Sequence, residues 1–305
     1  MYDKDVLPII ILFHPDDTLL SRLLVSLQGQ SKDICIVDNT PTTVKHSVLT
    51  FCDKLLLNPI YFDLGENKGI ASAQNIGIQY AIDNKYEHVL LLDQDSELPN
   101  GFIEKLKSNE LKLINDGHKV AAVGPAFKDE KTGEVADAIQ QKSVKVNRIK
   151  IDVNSNQPVQ CDYIIASGSL IRTSVLQEVG FMDDDLFIDW VDIEWGERCS
   201  YYGFKSYMVP SVVMNHSIGD EYVSVFGRKI NLHSDFRNYF IVRNATHLLK
   251  SKKIRPELKF SFLIKIPQYI FFYSLFSKRK IYSFVLLNRA VWDGLIGKLG
   301  KGFFV

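Results

Sequence analysis

The chain has 305 residues, 46% of them hydrophobic, which is enough to build one large α/β core or two ordinary ones and excludes a small disulfide-stabilised fold. Its 36 basic and 36 acidic residues balance, so we expect no nucleic-acid partner. The balance is uneven along the chain, because residues 251–305 carry about nine more positive than negative charges and the preceding part is correspondingly acidic. This asymmetry predicts two surfaces with different partners.

The cysteines and the N-terminus both indicate a reducing compartment. Cys35, Cys52, Cys161 and Cys199 are scattered without Cys-x-x-Cys spacing, which favours buried free thiols over a disulfide framework or a zinc site. The N-terminus does not have the basic region and apolar core of a secretion signal. The sequence therefore predicts a cytoplasmic protein.

The N-terminal part alternates apolar strands with amphipathic segments. Strands are predicted at residues 6–13, 34–37 and 58–63, and leucines at helical spacing predict a helix between the first two. This alternation predicts a parallel sheet with right-handed crossovers. The loops after the first two strands should then lie at the same edge of the sheet.

Residues 65–77 are rich in glycine and alanine and follow the third strand. The glycines allow a tight turn, and the free amides at such a helix start favour phosphate. The segment has neither the Gly-Lys-Ser/Thr ending of a Walker loop nor the Gly-x-Gly-x-x-Gly of a dinucleotide fold. An ordinary turn at a helix start is the alternative interpretation.

A short apolar run, Val89–Leu92, ends in two carboxylates one residue apart. Such a run predicts a buried parallel strand, and ligands of open α/β sheets bind where such strands end. Residues two apart on an extended chain point the same way, so Asp93 and Asp95 could share one cation or one sugar phosphate, while Gln94 faces elsewhere. Oxygen ligands of this kind suit Mg²⁺ or Mn²⁺. The alternative is a solvated acidic turn.

The middle of the chain predicts further core elements around a polar excursion. A helix is expected at residues 102–115 and a strand at 120–125, and the core resumes at 163–171. The polar span 128–160, with a short strand predicted at 144–146, indicates a substrate-facing excursion or an edge hairpin.

A second acid-rich segment contains Asp189, Asp192 and Glu194 among large apolar residues. Apolar surroundings raise the pKa of a carboxyl group and favour a general base near neutral pH. A helix that begins near Asp189 would place Asp189 and Asp192 on one face. Acids placed at a helix N-terminus for its dipole are the alternative.

Two further segments carry candidate ligands. A last strand is predicted at Met208–Met214, and His216 follows it. His216 is a candidate ligand, and a structural role is the alternative interpretation. A predicted helix then carries Arg237 and Arg243, whose guanidinium groups suit phosphate. A solvated or carboxylate-paired face is the alternative.

The C-terminal tail alternates apolar patches with basic residues. Lys265 and Pro267 interrupt its longest apolar run, which is too short to span a bilayer. Aromatic residues with flanking bases suit a segment that lies in the headgroup region of an anionic inner leaflet. A helical subdomain that packs on the body or on a second subunit is the alternative.

The order of these segments resembles the family 2 glycosyltransferases of the GT-A fold, and most closely their bacterial rhamnosyltransferase-like branch. The resemblance covers about residues 6–250. The matching segments are Phe13-His14-Pro15, Val37-Asp38-Asn39, Asn67-Lys68-Gly69-Ile70-Ala71-x-Ala73-x-Asn75-x-Gly77, Asp93-Gln94-Asp95-Ser96, Phe187-Ile188-Asp189-x-Val191-Asp192-x-Glu194-Trp195, His216-x-x-Gly219 and Tyr239-x-x-x-Arg243-Asn244.

The resemblance implies a GT-A fold, with a mostly parallel central sheet flanked by helices, in a catalytic domain of residues 1–250. Residues 251–305 lie outside the resemblance, and their basic and aromatic composition predicts a helical extension that associates with the inner face of the plasma membrane or mediates oligomerisation. The implied activity is metal-dependent transfer of a sugar, with inversion, onto a hydroxyl of a lipid-linked bacterial surface glycan.

The resemblance also implies roles for individual residues. Asp38 would read the nucleotide base, Asp93 would face the ribose or sugar, and the remaining donor contacts would come from Phe13, Asn67, Lys68, Gly69, Asn75, Gln94 and Arg243. Asp95 would bind Mg²⁺ or Mn²⁺, with support from His216. Asp192 would be the catalytic base. The family more commonly has Glu-Asp there, whereas Val191 precedes Asp192 here, so Asp189 is a second candidate for the base.

The form of the acidic motifs resembles enzymes that use dTDP-L-rhamnose. A UDP-sugar such as UDP-galactofuranose is the main competing donor. A non-catalytic nucleotide-sugar-binding partner in a glycan synthesis complex is a second kind of function. A sugar-1-phosphate nucleotidyltransferase is disfavoured, because the segment after Phe13 has no Gly-rich loop ending in Arg and Lys.

Overall fold

The computed structural model of the protein describes residues 5–41, 48–129, 132–141, 146–216, 222–225, 228–231 and 233–304, and of residues 216, 222–225 and 228–231 it describes the backbone. The strands are β1 (Val6–Leu12), β2 (Asp33–Asp38), β3 (Asn58–Asp63), β4 (His88–Asp93), β5 (Val120–Asp129), β6 (Ala138–Gln141), β7 (Val146–Ile149), β8 (Val159–Cys161), β9 (Ser169–Arg172), β10 (Lys205–His216), β11 (Tyr222–Val225) and β12 (Arg228–Asn231).

The helices are α1 (Asp17–Leu27), α2 (Val48–Leu55), α3 (Ile70–Asp83), α4 (Phe102–Asn115), α5 (Thr173–Val179), α6 (Val191–Tyr201), α7 (Asp235–Leu248), α8 (Pro256–Phe276) and α9 (Lys280–Ile296), with short 3-10 turns at Asp184–Leu186 and Gly302–Phe304. The strand predicted at 58–63 and the helix predicted at 102–115 are both confirmed as β3 and α4.

The central sheet has eight strands in the order β3-β2-β1-β4-β9-β5-β10-β8. Strands β3, β2, β1 and β4 run parallel, as do β5 and β10, whereas β9 and β8 run antiparallel to their neighbours. The α/β architecture with a mostly parallel sheet is therefore confirmed. The antiparallel β9 was not predicted, because its direction depends on how the chain returns from the excursion that contains β6–β8.

Helices cover both faces of the sheet. On one face the buried leucines of α1 pack with α4 and alternate side chains of β1, β2 and β4. On the other face α3, α5 and α6 pack with the opposite side chains of the same strands, together with parts of α7 and α8. Because both faces are covered, β1, β2 and β4 are buried almost throughout, which explains their continuous apolar sequences.

The loops that follow β1 and β2 meet at one edge of the sheet, as the strand order predicts. The backbone amide of Asn39 donates to the carbonyl of Leu12 at 2.8 Å, and the amide of His14 donates to the Thr40 hydroxyl at 3.1 Å. In the same ladder Ile11 pairs with Asp93 of β4. The carboxyl ends of three neighbouring strands therefore converge.

Two predicted boundaries need correction. Helix α6 begins at Val191 rather than near Asp189, because Asp189 and Trp190 have φ of +61° and +67°, in the left-handed region. Asp189 and Asp192 therefore do not share a helical face. The strand expected at 144–146 is β7, which starts at Val146 and pairs with β6; residues 142–145 lie outside the described part.

Helices α7, α8 and α9 enclose a third cluster of buried side chains, which includes Tyr239 and Phe240 of α7, Ile270 of α8 and Leu287 of α9. Phe187 of the main body joins the same cluster. The boundary proposed at residue 250 falls between α7 and α8, so the helical cluster draws on both sides of it. Within the described ranges, we find no helix that has both the length and the apolar character needed to cross a membrane.

Candidate active site

A cavity of about 650 Å³ lies at the carboxyl ends of β1 and β4. This is the position at which open α/β sheets bind their ligands. Apolar side chains form much of its wall, and amides and carboxylates project into it. The lining residues are Ile11, Phe13, Asn39, Asn67, Gly69, Ile70, Asp93, Gln94, Asp95, Phe187, Ile188 and Phe236.

Gln94 fixes the loop that follows β4. Its side-chain oxygen accepts the backbone amide of Phe13 at 2.8 Å, and its side-chain nitrogen donates to the Phe13 carbonyl at 3.2 Å. The amide group therefore extends the β1–β4 pairing by one step. Gln94 lines the cavity, but its hydrogen-bonding groups hold Phe13, and its contact with the donor stays a prediction.

Asp93 and Asp95 both line this cavity, but the chain turns at residues 94–95, so Gln94 lines it as well and does not face elsewhere as an extended chain would require. Asp93 is partly buried and Asp95 is exposed. The next residue, Ser96, is buried and its hydroxyl lies 2.6 Å from that of Ser167, which anchors the end of the acidic motif to the loop before β9. The motif is thus presented from a fixed backbone.

The two carboxylates suit a divalent ion whose coordination shell is completed by the phosphate oxygens of a substrate. Mg²⁺ commonly binds through one or two carboxylates plus phosphate oxygens, and Asp95 offers an exposed carboxylate inside the cavity. Among the residues that the structure describes, no group of three or more His, Cys, Asp and Glu side chains could by itself hold a metal. The side chain of His216 lies outside the described part, as does Gly219, and the His216 backbone pairs with Asp129.

A hydrogen-bond network connects the loop after β2 with the loop before α3. Asn39 accepts the backbone amide of Lys68 at 2.7 Å and donates to Asn67 at 2.9 Å, and Asn67 accepts the amide of Gly69 at 2.9 Å. Asn39 was quoted in the family motif but not predicted as a site residue. Its place beside Asp38, at a strand end, was the available signal.

Asp38 is buried, and its carboxylate accepts the Thr40 amide at 3.0 Å and the Tyr61 hydroxyl at 2.6 Å. Burial and the neighbouring Asp38 carboxylate raise the pKa of Tyr61, so this phenol stays protonated and continues to donate. The arrangement fixes the strand end that presents Asn39 to the cavity. Base recognition by Asp38 stays a prediction.

Gly69 allows a close approach between two loops. Its φ is +87°, and a Cβ atom there would lie 2.6 Å from the carbonyl oxygen of Phe187. The same carbonyl accepts the backbone amide of Ile70 at 2.7 Å, at the first turn of α3. Glycine is therefore required both by conformation and by space.

Asn75 and Lys68 are placed differently from the prediction. The Asn75 side chain donates to the Met182 carbonyl at 2.9 Å, accepts the Met182 amide at 3.0 Å, and also contacts Asp184. Asn75 and Lys68 line a separate, more open groove beside α3. Asn75 therefore holds the 182–184 loop on α3, which replaces its predicted contact with the donor.

Asp192 lies in the first turn of α6, mostly buried. Burial, the negative charge of Asp93 and that of Asp189 raise the pKa of Asp192 to about 7, against the lowering effect of a hydrogen bond from the Ala166 backbone. Asp93, at the end of β4, is therefore close enough for its charge to act on the Asp192 carboxyl group. A carboxylate with this pKa can accept a proton near neutral pH.

The other two acids of this segment are paired. Asp189 accepts from Arg237 at 2.7 Å, and Glu194 accepts from Arg198 at 2.7 Å in a largely buried ion pair. The carboxylate-paired interpretation of Arg237 is thus correct. Both side chains already have an arginine partner, whereas burial and neighbouring charge raise the pKa of Asp192, so the geometry favours Asp192 over Asp189 as the candidate base.

Helix α7 holds the loop that leads into Asp192. Asn244 donates to the carbonyls of Leu186 and Ile188, both at 2.8 Å, and to that of Asp189 at 3.0 Å. The Trp190 indole donates to the Ile241 carbonyl at 2.9 Å. These contacts span backbone in the left-handed region, where non-glycine residues need such support.

Arg243 is corrected from a diphosphate contact to a structural residue. It is fully buried, and its guanidinium donates to the carbonyls of Leu186 at 3.0 Å, Gly300 at 3.1 Å and Lys298 at 3.3 Å. A diphosphate could reach it only by displacing these partners. Arg243 instead connects α7, the 186–190 loop and the C-terminal turn.

Comparison with known proteins shows which family the chain resembles. Residues 9–180 match the model of the family described as Glycosyl transferase family 2. The chain is 35% identical, over 83% of its length and 82% of the relative's, to the dTDP-rhamnosyl transferase RfbF of Shigella flexneri. It is 23% identical, over 79% of its length and 76% of the relative's, to the low-salt glycan biosynthesis hexosyltransferase Agl10 of Haloferax volcanii.

A solved structure shares the fold. The crystal structure of GalNAc-T7 with UDP, GalNAc and Mn²⁺ superposes with a TM-score of 0.56 at 14% identity, over 85% of this chain. The chain spans 54% of the length of that protein. At this identity the likeness concerns the fold alone, and it supports the GT-A architecture.

Proposed function

Because the chain belongs to glycosyl transferase family 2 and is a rhamnosyltransferase-like glycosyltransferase, we propose that it transfers L-rhamnose from dTDP-L-rhamnose onto a hydroxyl of a lipid-linked bacterial surface glycan. The similarity to RfbF, named a dTDP-rhamnosyl transferase, supports this donor. A UDP-sugar, including UDP-galactofuranose, is the alternative donor for the same fold.

The observation that carries the proposal is the pair Asp93 and Asp192. Asp93 lines the cavity at the end of β4, and its charge helps raise the pKa of Asp192 to about 7. Asp192 is thereby suited to take a proton from an acceptor hydroxyl. Its neighbours Asp189 and Glu194 are held in ion pairs and leave this role to Asp192.

The proposed reaction is a single in-line displacement. Asp192 takes the proton of the acceptor hydroxyl as its oxygen forms a bond to the anomeric carbon of the donor sugar. The bond from that carbon to the diphosphate oxygen breaks, and the nucleoside diphosphate leaves with the bonding electrons. Attack from the opposite face inverts the anomeric configuration.

A bound Mg²⁺ or Mn²⁺ would supply positive charge that stabilises the leaving diphosphate. Asp95 would hold this ion, and we propose that His216 assists it. Asp93 orients the ribose or sugar, and the Asn39–Asn67 network shapes the nucleotide side of the cavity. Phe13 and Gly69 complete the donor wall.

A lipid-linked acceptor would bring the enzyme to the inner face of the plasma membrane. The excess of positive charge in residues 251–305 supports this location, because the inner leaflet of bacterial membranes carries anionic lipids. A homo-oligomer at that surface is compatible with the same proposal.

The experiment is incubation of the full chain with a panel of nucleotide sugars, Mn²⁺ and a lipid-linked acceptor, with release of nucleoside diphosphate as the readout. We expect dTDP-L-rhamnose to be consumed fastest. Faster use of a UDP-sugar would overturn the donor assignment. Tight donor binding without transfer to any acceptor would instead indicate a non-catalytic nucleotide-sugar-binding protein.

A further inference from the structure

Helices α8 and α9 expose an unusual share of large hydrophobic side chains. Thirteen of the 24 such exposed side chains in the described residues belong to these two helices. They are Phe260, Leu263, Ile264, Phe271, Leu275, Phe276, Ile281, Tyr282, Phe284, Val285, Trp292, Leu295 and Ile296. A large exposed hydrophobic patch of this kind on a folded domain is typical of a surface that binds a protein or a membrane.

The exposed side chains form one stripe on each helix. On α8, Phe260, Ile264, Phe271 and Leu275 recur at helical spacing, and on α9 Ile281, Val285, Trp292 and Ile296 do the same. Both helices also have a buried face that packs against the rest of the protein. Phe262, Ile270 and Tyr273 of α8 are buried, as are Leu286, Leu287 and Ala290 of α9. Each helix is therefore apolar on two sides, one packed and one uncovered.

The Trp190 contact shows how firmly the inner side of α8 is packed. The Phe262 ring lies 4.7 Å from the Trp190 ring in an edge-to-face arrangement. Just before α8, Arg255 forms ion pairs with Glu197, at 2.5 Å, and with Asp162, at 3.1 Å. The uncovered stripe is therefore presented by helices that are anchored to the body.

Positive charge accompanies the uncovered stripes. Lys265 is exposed on α8, and Lys278, Arg279 and Lys280 are exposed at the turn between the helices. Residues 251–305 contain two acids, of which Asp293 is buried and bonded to Tyr239 and Arg289. The exposed part of this hairpin is thus apolar and basic at once.

We propose that the outer face of α8 and α9, which we call the docking face, binds the surface of an anionic membrane with both helices lying in the headgroup region. Apolar side chains would enter the acyl boundary while Lys278 and Lys280 contact lipid phosphates, and Arg279, which forms an ion pair with Asp235 at 3.0 Å, would hold the turn between the helices. A second copy of the chain fits this face less well, because two-fold pairing would bring like charges together.

The docking face lies one helix layer from the cavity. Helix α9 packs on α7 through the cluster that contains Leu287 and Tyr239, and α7 contributes Phe236 to the cavity wall. Binding to the membrane itself is inferred from the face alone, whereas its benefit for catalysis rests on the proposed lipid-linked acceptor.

The test is co-sedimentation of the full chain with phosphatidylcholine vesicles, with and without phosphatidylglycerol. We expect at least about tenfold tighter binding to the anionic vesicles, and weaker binding at high salt. The double variant Phe271→Glu/Ile281→Glu, which changes side chains that are 70% and 83% exposed, should lose at least about tenfold in affinity. The matched control is Leu111→Glu on α4, 53% exposed, which should bind as the wild type does.

Two further measurements separate a loss of membrane binding from a loss of folding or of activity. The melting temperature and the slow hydrolysis of donor in the absence of membranes should be unchanged in the double variant, so a loss of vesicle binding cannot be attributed to unfolding. Equal vesicle binding by wild type and double variant would overturn the proposal. So would a wild-type dimer in light scattering that the double variant dissociates, since that would assign the face to a second copy. Vesicle binding by a chain that transfers no sugar would leave this proposal standing and remove the proposed function.

Discussion

The side-chain amide of Asn244 on α7 donates to the main-chain carbonyl of Asp189 at 3.0 Å, three residues before the candidate base. The same nitrogen also donates to the carbonyls of Leu186 and Ile188, both at 2.8 Å. Since Phe187, Asp189 and Trp190 have positive φ, this loop is held by α7 rather than by its own preference. Helix α7, which follows this loop in the sequence by some fifty residues, therefore positions the segment that carries the candidate base.

Replacing Asn244 with alanine should reduce turnover more than donor binding. The change leaves buried carbonyls without their donor, at a cost of about 1–3 kcal/mol of folding free energy, and frees the loop before Asp192. We expect kcat to fall at least about tenfold. The matched control is Thr246→Val, which removes a bond to the Val242 carbonyl within α7 and leaves the loop contacts intact. A variant with reduced stability but wild-type kcat would contradict the positioning role.

Activity should depend on pH through Asp192. Burial and the charge of Asp93 raise the pKa of Asp192 to about 7, and the carboxylate form is the one that accepts a proton. As pH falls through about 7 the carboxyl becomes protonated, so kcat/KM for the donor should fall about tenfold per pH unit on the acid side. A cation bound beside Asp93 would lower this pKa in the donor complex, moving the limb in kcat to lower pH. A flat kcat/KM profile between pH 5 and 8 would exclude this group.

The Gly69→Ala variant should damage the cavity. A methyl group at position 69 meets the Phe187 carbonyl at 2.6 Å and also carries the cost of φ at +87°. Gly29→Ala separates these effects, because Gly29 has φ of +74° with nothing within 4 Å of its Cβ position. We expect Gly29→Ala to lower stability by about 1–2 kcal/mol and leave KM for the donor unchanged. Gly69→Ala should lower stability further and raise KM; equal behaviour of the two would argue against a tight loop contact.

The metal role of Asp95 is tested by substitution and chelation. Asp95→Ala should abolish the Mn²⁺-dependent part of transfer while leaving the melting temperature near that of the wild type, because the side chain is exposed. Asp116→Ala, at the exposed C-cap of α4, is the matched control and should keep full metal dependence. Wild-type activity that persists in excess chelator would remove the metal from the proposal.

Much of the framework follows from the sequence because apolar runs and strand ends are local signals. β3, α4 and the end of β4 were placed correctly, which brings Asp93 and Asp95 to the cavity, while their roles stay predictions. The contacts of Arg243 and Asn75 were not predicted from the sequence. Whether a polar side chain contacts a ligand or a main-chain carbonyl depends on segments that are distant in the sequence. Arg243 finds its partners at Leu186, Lys298 and Gly300.

The start of α6 shows the same limit. Its acids suggested a helix from Asp189, but the left-handed backbone at Asp189 and Trp190 is stabilised by α7, which lies far away in sequence. Asn244 and Phe236 were missed for a related reason. Each becomes part of the site only when α7 packs beside the 186–190 loop.

The most direct test of the account is the turnover of Asp192→Asn with dTDP-L-rhamnose and a lipid-linked acceptor, measured beside Asp116→Asn. Asparagine is nearly the same size but cannot take the proton, so we expect kcat to fall at least about a hundredfold while the dissociation constant of the donor stays within about threefold. Asp116→Asn should match the wild type. Wild-type turnover by Asp192→Asn would contradict the central claim that this carboxylate is the catalytic base.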